Sequence, residues 1–150
     1  MRAVPVPVGG EVLFRVFSRF EYALKEAGFF ERGRNDEPKI SWDKFATECL
    51  GVPFFNRVMT EKLAPVLSEK PPSRQIVEGA SLIWRATDPP ETIEELFLAV
   101  RRTRNNLFHG GKHGDPDADR NQALIAESIC LLGEALETCG AVKAAFENRW

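Results

Sequence analysis

The sequence predicts an all-α fold, a bundle of about four to five main helices. Three long segments carry apolar residues at helical spacing, and proline or glycine separates the shorter segments between them. No segment alternates convincingly between apolar and polar residues, as a half-exposed strand would. With 150 residues, of which 43% are hydrophobic and 28% charged, the chain fits one domain that is long enough to bury a core.

Residues 1–10 are predicted to form a flexible arm, and residues 11–150 a single helical domain. Alternating valine and proline, followed by Gly9 and Gly10, favour an extended backbone in the arm. The arm lacks the apolar core of a signal peptide, and no run of about 18 apolar residues occurs anywhere. The sequence therefore predicts a cytoplasmic protein without membrane contact.

Charge and cysteine content restrict the possible functions. The net charge of −2 argues against a general nucleic-acid coat, so any contact with a polyanion must be local. The three cysteines, Cys49, Cys130 and Cys139, are widely spaced and lie within apolar helical patterns. We interpret them as reduced core thiols, and we expect no metal site and no cofactor.

Caps and breaks place the helices along the chain. They are predicted at residues about 11–27, 41–51, 54–64, 73–85, 89–108, 119–139 and 141–150, with polar loops at 29–39 and 112–118. The clearest start is Asp88-Pro89-Pro90-Glu91, since an acid at the N-cap, a proline in the first position and a glutamate in the third all favour a helix N-terminus. Gly110 and Gly111 are predicted to end that helix.

The stretch from Arg101 to Lys112 contains the strongest functional signal. On a helical wheel one apolar stripe is formed by Ile93, Leu96, Phe97, Val100 and Leu107, and Arg104 falls near its middle. Burying an unpaired guanidinium is costly. We therefore expect Arg104 to pair with another group, to face a partner chain, or to line a water-filled cleft.

His109 lies at the C-terminal end of the same helix, where the helix dipole favours its protonated form. A histidine before a glycine cap is by itself more often a capping residue. It lies five residues after Arg104, which corresponds to about 7.5 Å along the helix axis and about 140° around it. The two side chains meet more easily when two copies of the helix cross about a twofold axis, so the spacing favours a dimeric site.

Two adjacent carboxamides lie between these residues. Asn105 is one turn before His109, where its amide can orient the imidazole. Solvent exposure is the simpler interpretation, and it suits Asn106 better than Asn105.

The segment Arg104-Asn105-Asn106-Leu107-Phe108-His109 resembles the signature of the HEPN (higher eukaryotes and prokaryotes nucleotide-binding) superfamily, an arginine followed after four to six residues by a histidine. Members of this superfamily are small helical bundles that dimerise, and many are metal-independent endoribonucleases of toxin–antitoxin, phage-defence or RNA-processing systems. The resemblance implies that His109 acts as general acid or base, that Arg104 stabilises the charged transition state, and that Asn105 positions the histidine or the phosphate.

The neighbouring residues receive weaker assignments. Arg101 and Arg102 are interpreted as solvated or as steering RNA phosphates. Lys112 and His113 can touch RNA phosphates, although a flexible solvated loop is the simpler interpretation. Glu21 is a possible partner of Arg104, or else a surface carboxylate.

Two alternatives remain open beside the homodimeric endoribonuclease. The chain could be a non-catalytic HEPN-like module that binds RNA, a nucleotide, an antitoxin or a nucleotidyltransferase-type partner. It could also be a plain helical oligomerisation domain in which Arg104 forms an interface ion pair.

Overall fold

The computed structural model describes residues 8–108 and 117–148. The fold is mostly helical, with two small antiparallel sheets. The helices are α1 (Gly10–Glu26), α2 (Trp42–Phe45), α3 (Gly51–Thr60), α4 (Pro65–Glu69), α5 (Ile93–Phe108), α6 (Ala118–Thr138) and α7 (Gly140–Glu147). The strands are β1 (Phe30–Arg32), β2 (Pro38–Ile40), β3 (Arg74–Glu78) and β4 (Ser81–Arg85).

The prediction of long helices at both ends of the chain is confirmed. Helices α1, α6 and α7 begin and end within about three residues of their predicted bounds. The middle of the chain is divided more finely than predicted. A π-helical turn (Ala46–Leu50) extends α2 to Gly51, where a φ of 66° interrupts the helix as predicted, and α4 begins separately at Pro65.

The prediction of a purely α-helical chain is wrong in two places, where hairpins form. β1 pairs with β2 in the segment predicted as a loop. Its turn has Asn35 and Asp36 in the left-handed region, with φ of 56° and 62°, which these two residue types tolerate.

The second hairpin, β3–β4, replaces the helix predicted at 73–85. A two-residue turn begins with Gly79, whose φ of 60° suits glycine at the first position of a tight hairpin turn. β-Branched residues, which favour strands, occupy three of these four paired positions: Ile76 faces Ile83, and Val77 faces Leu82.

Helix α5 begins four residues later than predicted, at Ile93 instead of Pro89. The Glu95 N–H donates to Thr92 Oγ1 at 3.2 Å, and the Glu95 carboxylate accepts from the Glu91 N–H at 2.7 Å. This pair resembles a capping box, in which Thr and Glu three residues apart satisfy free amides at a helix start. Thr92 thus begins the helix, whereas Asp88 was predicted to do so.

An aromatic cluster forms the core beneath α1 and α5. Phe45 is fully buried and contacts the rings of Phe20, Trp42 and Phe97 at centroid distances of 5.5, 6.2 and 6.3 Å. Trp42 lies nearly parallel to Phe20, at 5.5 Å. The cluster holds α1, α2 and α5 together, and these are the elements that carry the candidate site.

All three cysteines are free, but only Cys139 is buried. Cys49 is half-buried, and Cys130 is exposed, so its prediction as a core thiol is wrong. Burial and the neighbouring Cys139 thiol raise the pKa of Cys49 to about 12, so it remains protonated at neutral pH.

Within residues 8–108 and 117–148, none of the helices combines the length and the apolar character needed to cross a membrane.

Glu127 of α6 supports the start of α4. Its Oε1 accepts from the Val66 N–H at 2.7 Å, in the first turn of that helix, where free amides favour an anion. Burial nevertheless raises the pKa of Glu127, and hydrogen bonds from the amides of Val66 and Leu67 offset that rise only in part.

This raised pKa predicts a specific pH dependence of stability. Below the usual carboxyl pKa, near 4.5, Glu127 is protonated and neutral whether the chain is folded or unfolded, so its burial does not lower the free energy of unfolding through a buried charge. As pH rises through the higher pKa of the folded state, folding loses stability because ionisation is harder inside the protein. We expect the free energy of unfolding of Glu127→Gln, minus that of wild type, to be more positive at pH 8 than at pH 4 in urea denaturation.

The exposed Glu69→Gln is the matched control for this experiment. The difference in free energy of unfolding between Glu69→Gln and wild type should change less between the two pH values. A Glu127→Gln difference that is the same at both pH values, or smaller at pH 8, would contradict the role given to burial.

Candidate functional site

Arg104 lies on the face of α5 that packs toward α1, as its place in the apolar stripe predicts. Its side chain is 27% exposed, and its guanidinium carbon lies 4.5 Å from the centroid of the Phe17 ring. This geometry is a cation–π contact, which partly compensates for the removal of the charge from water. The charge is therefore held at the edge of the core by an aromatic face.

Glu21 of α1 forms an ion pair with this charge. Its Oε1 lies 3.6 Å from Arg104 Nη2, which is an ion pair but is too long for a good hydrogen bond. Glu21 is itself fixed, since the buried Trp42 donates from Nε1 to its Oε2 at 3.1 Å. The structure thus brings Glu21 to Arg104 as a half-buried side chain, not as a free surface carboxylate.

The guanidinium of Arg104 is incompletely satisfied by the residues that the structure describes. Its Nε is buried and has no hydrogen-bond partner among them. Buried polar atoms are seldom left without a partner, and a charged donor is an expensive one to leave. The charge of Arg104 is therefore only partly compensated, by one long ion pair and one aromatic face.

A cavity of about 420 Å³ opens beside Arg104. Helix α1, strand β2 and the end of α5 line it with residues that include Phe14, Ser18, Tyr22, Lys25 and Phe108. Phe108 is 66% exposed at its rim and meets Phe14 edge to face at 5.9 Å. The cavity joins charged groups to aromatic surfaces, a combination that suits a ligand with a phosphate and a ring.

Arg101 lies near the same aromatic cluster but contacts a different ring and a different carboxylate from Arg104. It is half-buried over Trp42, at 5.9 Å, and its Nη2 lies 3.8 Å from Asp43 Oδ1. Burial lowers the pKa of Arg101 below its usual value, and Asp43 offsets part of that effect. The interpretation of Arg101 as a solvated side chain is wrong.

Arg102 lies on the other flank of α5, since two residues along a helix correspond to a rotation of about 200°. It lines a different cavity, together with Arg74 and Arg85 of the second hairpin. Burial lowers the pKa of Arg102, and the nearby charge of Arg74 lowers it further. Arg102 and Arg104 are thus not members of one site.

The two carboxamides also differ in their contacts. Asn106 Nδ2 donates to the Ser73 carbonyl at 2.9 Å and is half-buried, so its interpretation as a solvent-exposed residue is wrong. Asn105 is half-buried, and none of the described residues hydrogen-bonds to its side chain. His109, Lys112 and His113 lie outside the described residues, so the relation of Asn105 to His109 stays a prediction.

Sequence reasoning did not identify the aromatic part of this site. Phe14, Ser18 and Tyr22 recur every four residues on α1, which places them on one face of the helix. That spacing was available from the sequence, but nothing in it showed that this face meets the end of α5. In the part of the chain described, no three His, Cys, Asp or Glu side chains are grouped as ligands for a metal ion.

Comparisons with models of known protein families, with curated proteins and with solved structures find no match to this chain.

Proposed function

We propose that this chain is a HEPN-type, metal-independent endoribonuclease, a toxin or phage-defence effector whose active site is shared between two copies of the chain. The observation that carries the proposal is the environment of Arg104. A half-buried guanidinium, 27% exposed and held by one long ion pair, lies beside an open cavity that has aromatic walls. Such a group can bind a phosphate oxygen while a neighbouring base stacks on a ring.

The proposed chemistry is an internal transesterification of RNA. The ribose 2′-oxygen attacks the adjacent phosphorus, and the bond from phosphorus to the leaving 5′-oxygen breaks, which yields a 2′,3′-cyclic phosphate. His109 either takes the proton of the 2′-hydroxyl while water protonates the leaving 5′-oxygen, or donates a proton to the 5′-oxygen while water takes the one from the 2′-hydroxyl. Arg104 stabilises the additional negative charge on the phosphorane-like transition state. Asn105 orients the histidine or the phosphate.

A twofold arrangement is part of the proposal because of the helix geometry. In the helix predicted from the sequence, five residues separate Arg104 from His109, and that spacing corresponds to an offset of about 140°, which does not favour a common small group. A second copy related by a twofold axis supplies the histidine to the arginine of the first. The exposed Phe108 and the apolar face of α1 around Phe14 lie at the mouth of the cavity, where a second copy would cover them.

The second candidate is a non-catalytic HEPN-like module that binds RNA, a nucleotide or a protein partner at the same cavity. The pairing of Arg104 with Glu21 favours it, since this carboxylate already neutralises the charge that catalysis requires. The third candidate is a plain helical oligomerisation domain in which Arg104 and Glu21 form the same ion pair.

The test is incubation of the purified full-length chain with single-stranded RNA in excess EDTA. The proposal expects cleavage that leaves 2′,3′-cyclic phosphate ends and that Arg104→Gln lowers strongly. The exposed Arg34→Gln is the matched control and should cleave like wild type. Robust RNA binding without cleavage under any condition would favour the non-catalytic module instead.

Substitution of Glu21 is expected to change the affinity of the chain for RNA. Replacing it with glutamine retains an acceptor for Trp42 Nε1 but removes the charge that competes for Arg104. Partly exposed ion pairs contribute about 0–1 kcal/mol, so we expect RNA to bind up to about fivefold more tightly to Glu21→Gln. Fluorescence anisotropy with labelled single-stranded RNA measures this. Weaker binding would mean that Glu21 itself contacts the RNA or holds the site in shape.

A further inference from the structure

We propose that the cavity between the second hairpin and α5, lined by Arg74, Arg85 and Arg102, is a second binding site, and that it takes a phosphate group. The site does not depend on the proposed RNA cleavage, because it lies on the opposite flank of α5 from Arg104. Its volume is about 340 Å³, at the lower end of the range for small-ligand pockets.

The placement of the three arginines is electrostatically unfavourable without an anion. Arg74 and Arg85 are directly opposed across β3 and β4, where like charges destabilise a strand pair. Arg102 projects from α5 into the same cavity. None of the three forms an ion pair with a carboxylate among the residues that the structure describes.

Two carboxylates also line the cavity and reduce its positive charge, but among the described residues neither forms an ion pair with the three arginines. Glu95 is engaged at the start of α5, where it accepts from the Glu91 N–H at 2.7 Å. Asp88 is exposed at the edge of the cavity. The lining charge is three positive against two negative, a net of one positive, before any ligand binds.

The cavity is held in place at the base of the hairpin. Thr87 Oγ1 donates to the Pro72 carbonyl at 2.9 Å and so ties together the chain segments that enter and leave the hairpin. Asn106 Nδ2 donates to the Ser73 carbonyl and fastens the same base to α5. Because side chains alternate along a strand, Arg74 and Arg85 share a face with the half-buried Ile76 and Ile83.

This arrangement suits a phosphate group. Three guanidinium groups from separate elements offer several N–H donors around one point, and arginine binds phosphate through paired hydrogen bonds. Pro71, Pro89 and Leu98 add apolar walls. The phosphate can belong to a free nucleotide or to the backbone of an RNA strand, and the experiment separates these sources.

The test is an NMR titration of the full-length chain with inorganic phosphate, followed on backbone amides and arginine Nε–Hε signals, with sodium chloride at matched ionic strength as the blank. We expect saturable shifts at Arg74, Arg85 and Arg102. Arg102→Gln and the exposed Arg85→Gln should each weaken binding by about tenfold, since each removes charge-assisted hydrogen bonds. The matched control Arg34→Gln should bind phosphate like wild type.

Two further probes identify the source of the phosphate. Tighter binding of AMP than of inorganic phosphate, with no displacement by unphosphorylated hexauridylate, indicates a free nucleotide. Displacement by hexauridylate indicates an RNA backbone. The proposal is overturned if phosphate produces no saturable shifts beyond those of sodium chloride, or if Arg85→Gln and Arg34→Gln weaken its binding equally.

Discussion

Replacing His109 with alanine is expected to lower the rate of RNA cleavage by about 10²–10⁴-fold, the usual contribution of a positioned general acid or base. The expectation follows from the proposed role of this residue in moving a proton to or from the reacting oxygens. Single-turnover cleavage of single-stranded RNA in EDTA measures it, because RNA binding and product release are then separated from the chemical step.

The matched measurement is RNA affinity by anisotropy, with urea denaturation to confirm that the variant folds. Affinity should change much less than the rate, because the histidine acts in the transition state. A His109→Ala chain that cleaves at the wild-type rate would exclude acid–base catalysis by this residue. A variant that loses binding and rate by the same factor would make His109 a binding residue.

Phe45→Ala is expected to produce the largest loss of stability. The ring is fully buried and contacts four other aromatic rings, those of Phe20, Phe29, Trp42 and Phe97. Truncating a buried phenylalanine to alanine costs about 3–5 kcal/mol, from lost burial and from the cavity left behind. That cost is a large share of the total stability of a typical domain, about 5–15 kcal/mol. Urea denaturation measures the difference.

Phe30→Ala is the matched control because its ring is half exposed on β1. It should cost less than about 1.5 kcal/mol, since less apolar surface is lost from the interior. If the two substitutions destabilise the chain equally, the aromatic cluster is not the centre of the core.

The helices could be predicted from the sequence wherever one apolar stripe runs over many turns. Helices α1 and α6 have such stripes, and they form close to their predicted bounds. The second hairpin was missed because the helix at 73–85 was placed only from the prolines that interrupt this part of the chain, and those boundaries do not distinguish a helix from two strands. Its strands are mostly exposed on both faces, so no alternation of burial marks them.

The part of the site that lies on one helix was predictable, and the part that joins several elements was not. An arginine in an apolar stripe requires a compensating group, and this singled out Arg104. The ring of Phe17 beneath it comes from α1, and sequence spacing gives no distance between helices. Arg102 was grouped with Arg104 because they are close in sequence, whereas the misassigned hairpin holds its actual neighbours, Arg74 and Arg85.

The most direct measurement of the shared site is subunit complementation. Arg104→Ala and His109→Ala chains are each expected to be inactive, and the two are co-expressed and purified together. If each site takes its arginine from one chain and its histidine from the other, the mixed dimer contains one intact site. Random pairing then gives about one quarter of the wild-type activity. No activity in the co-purified mixed dimer would contradict a site shared between two chains.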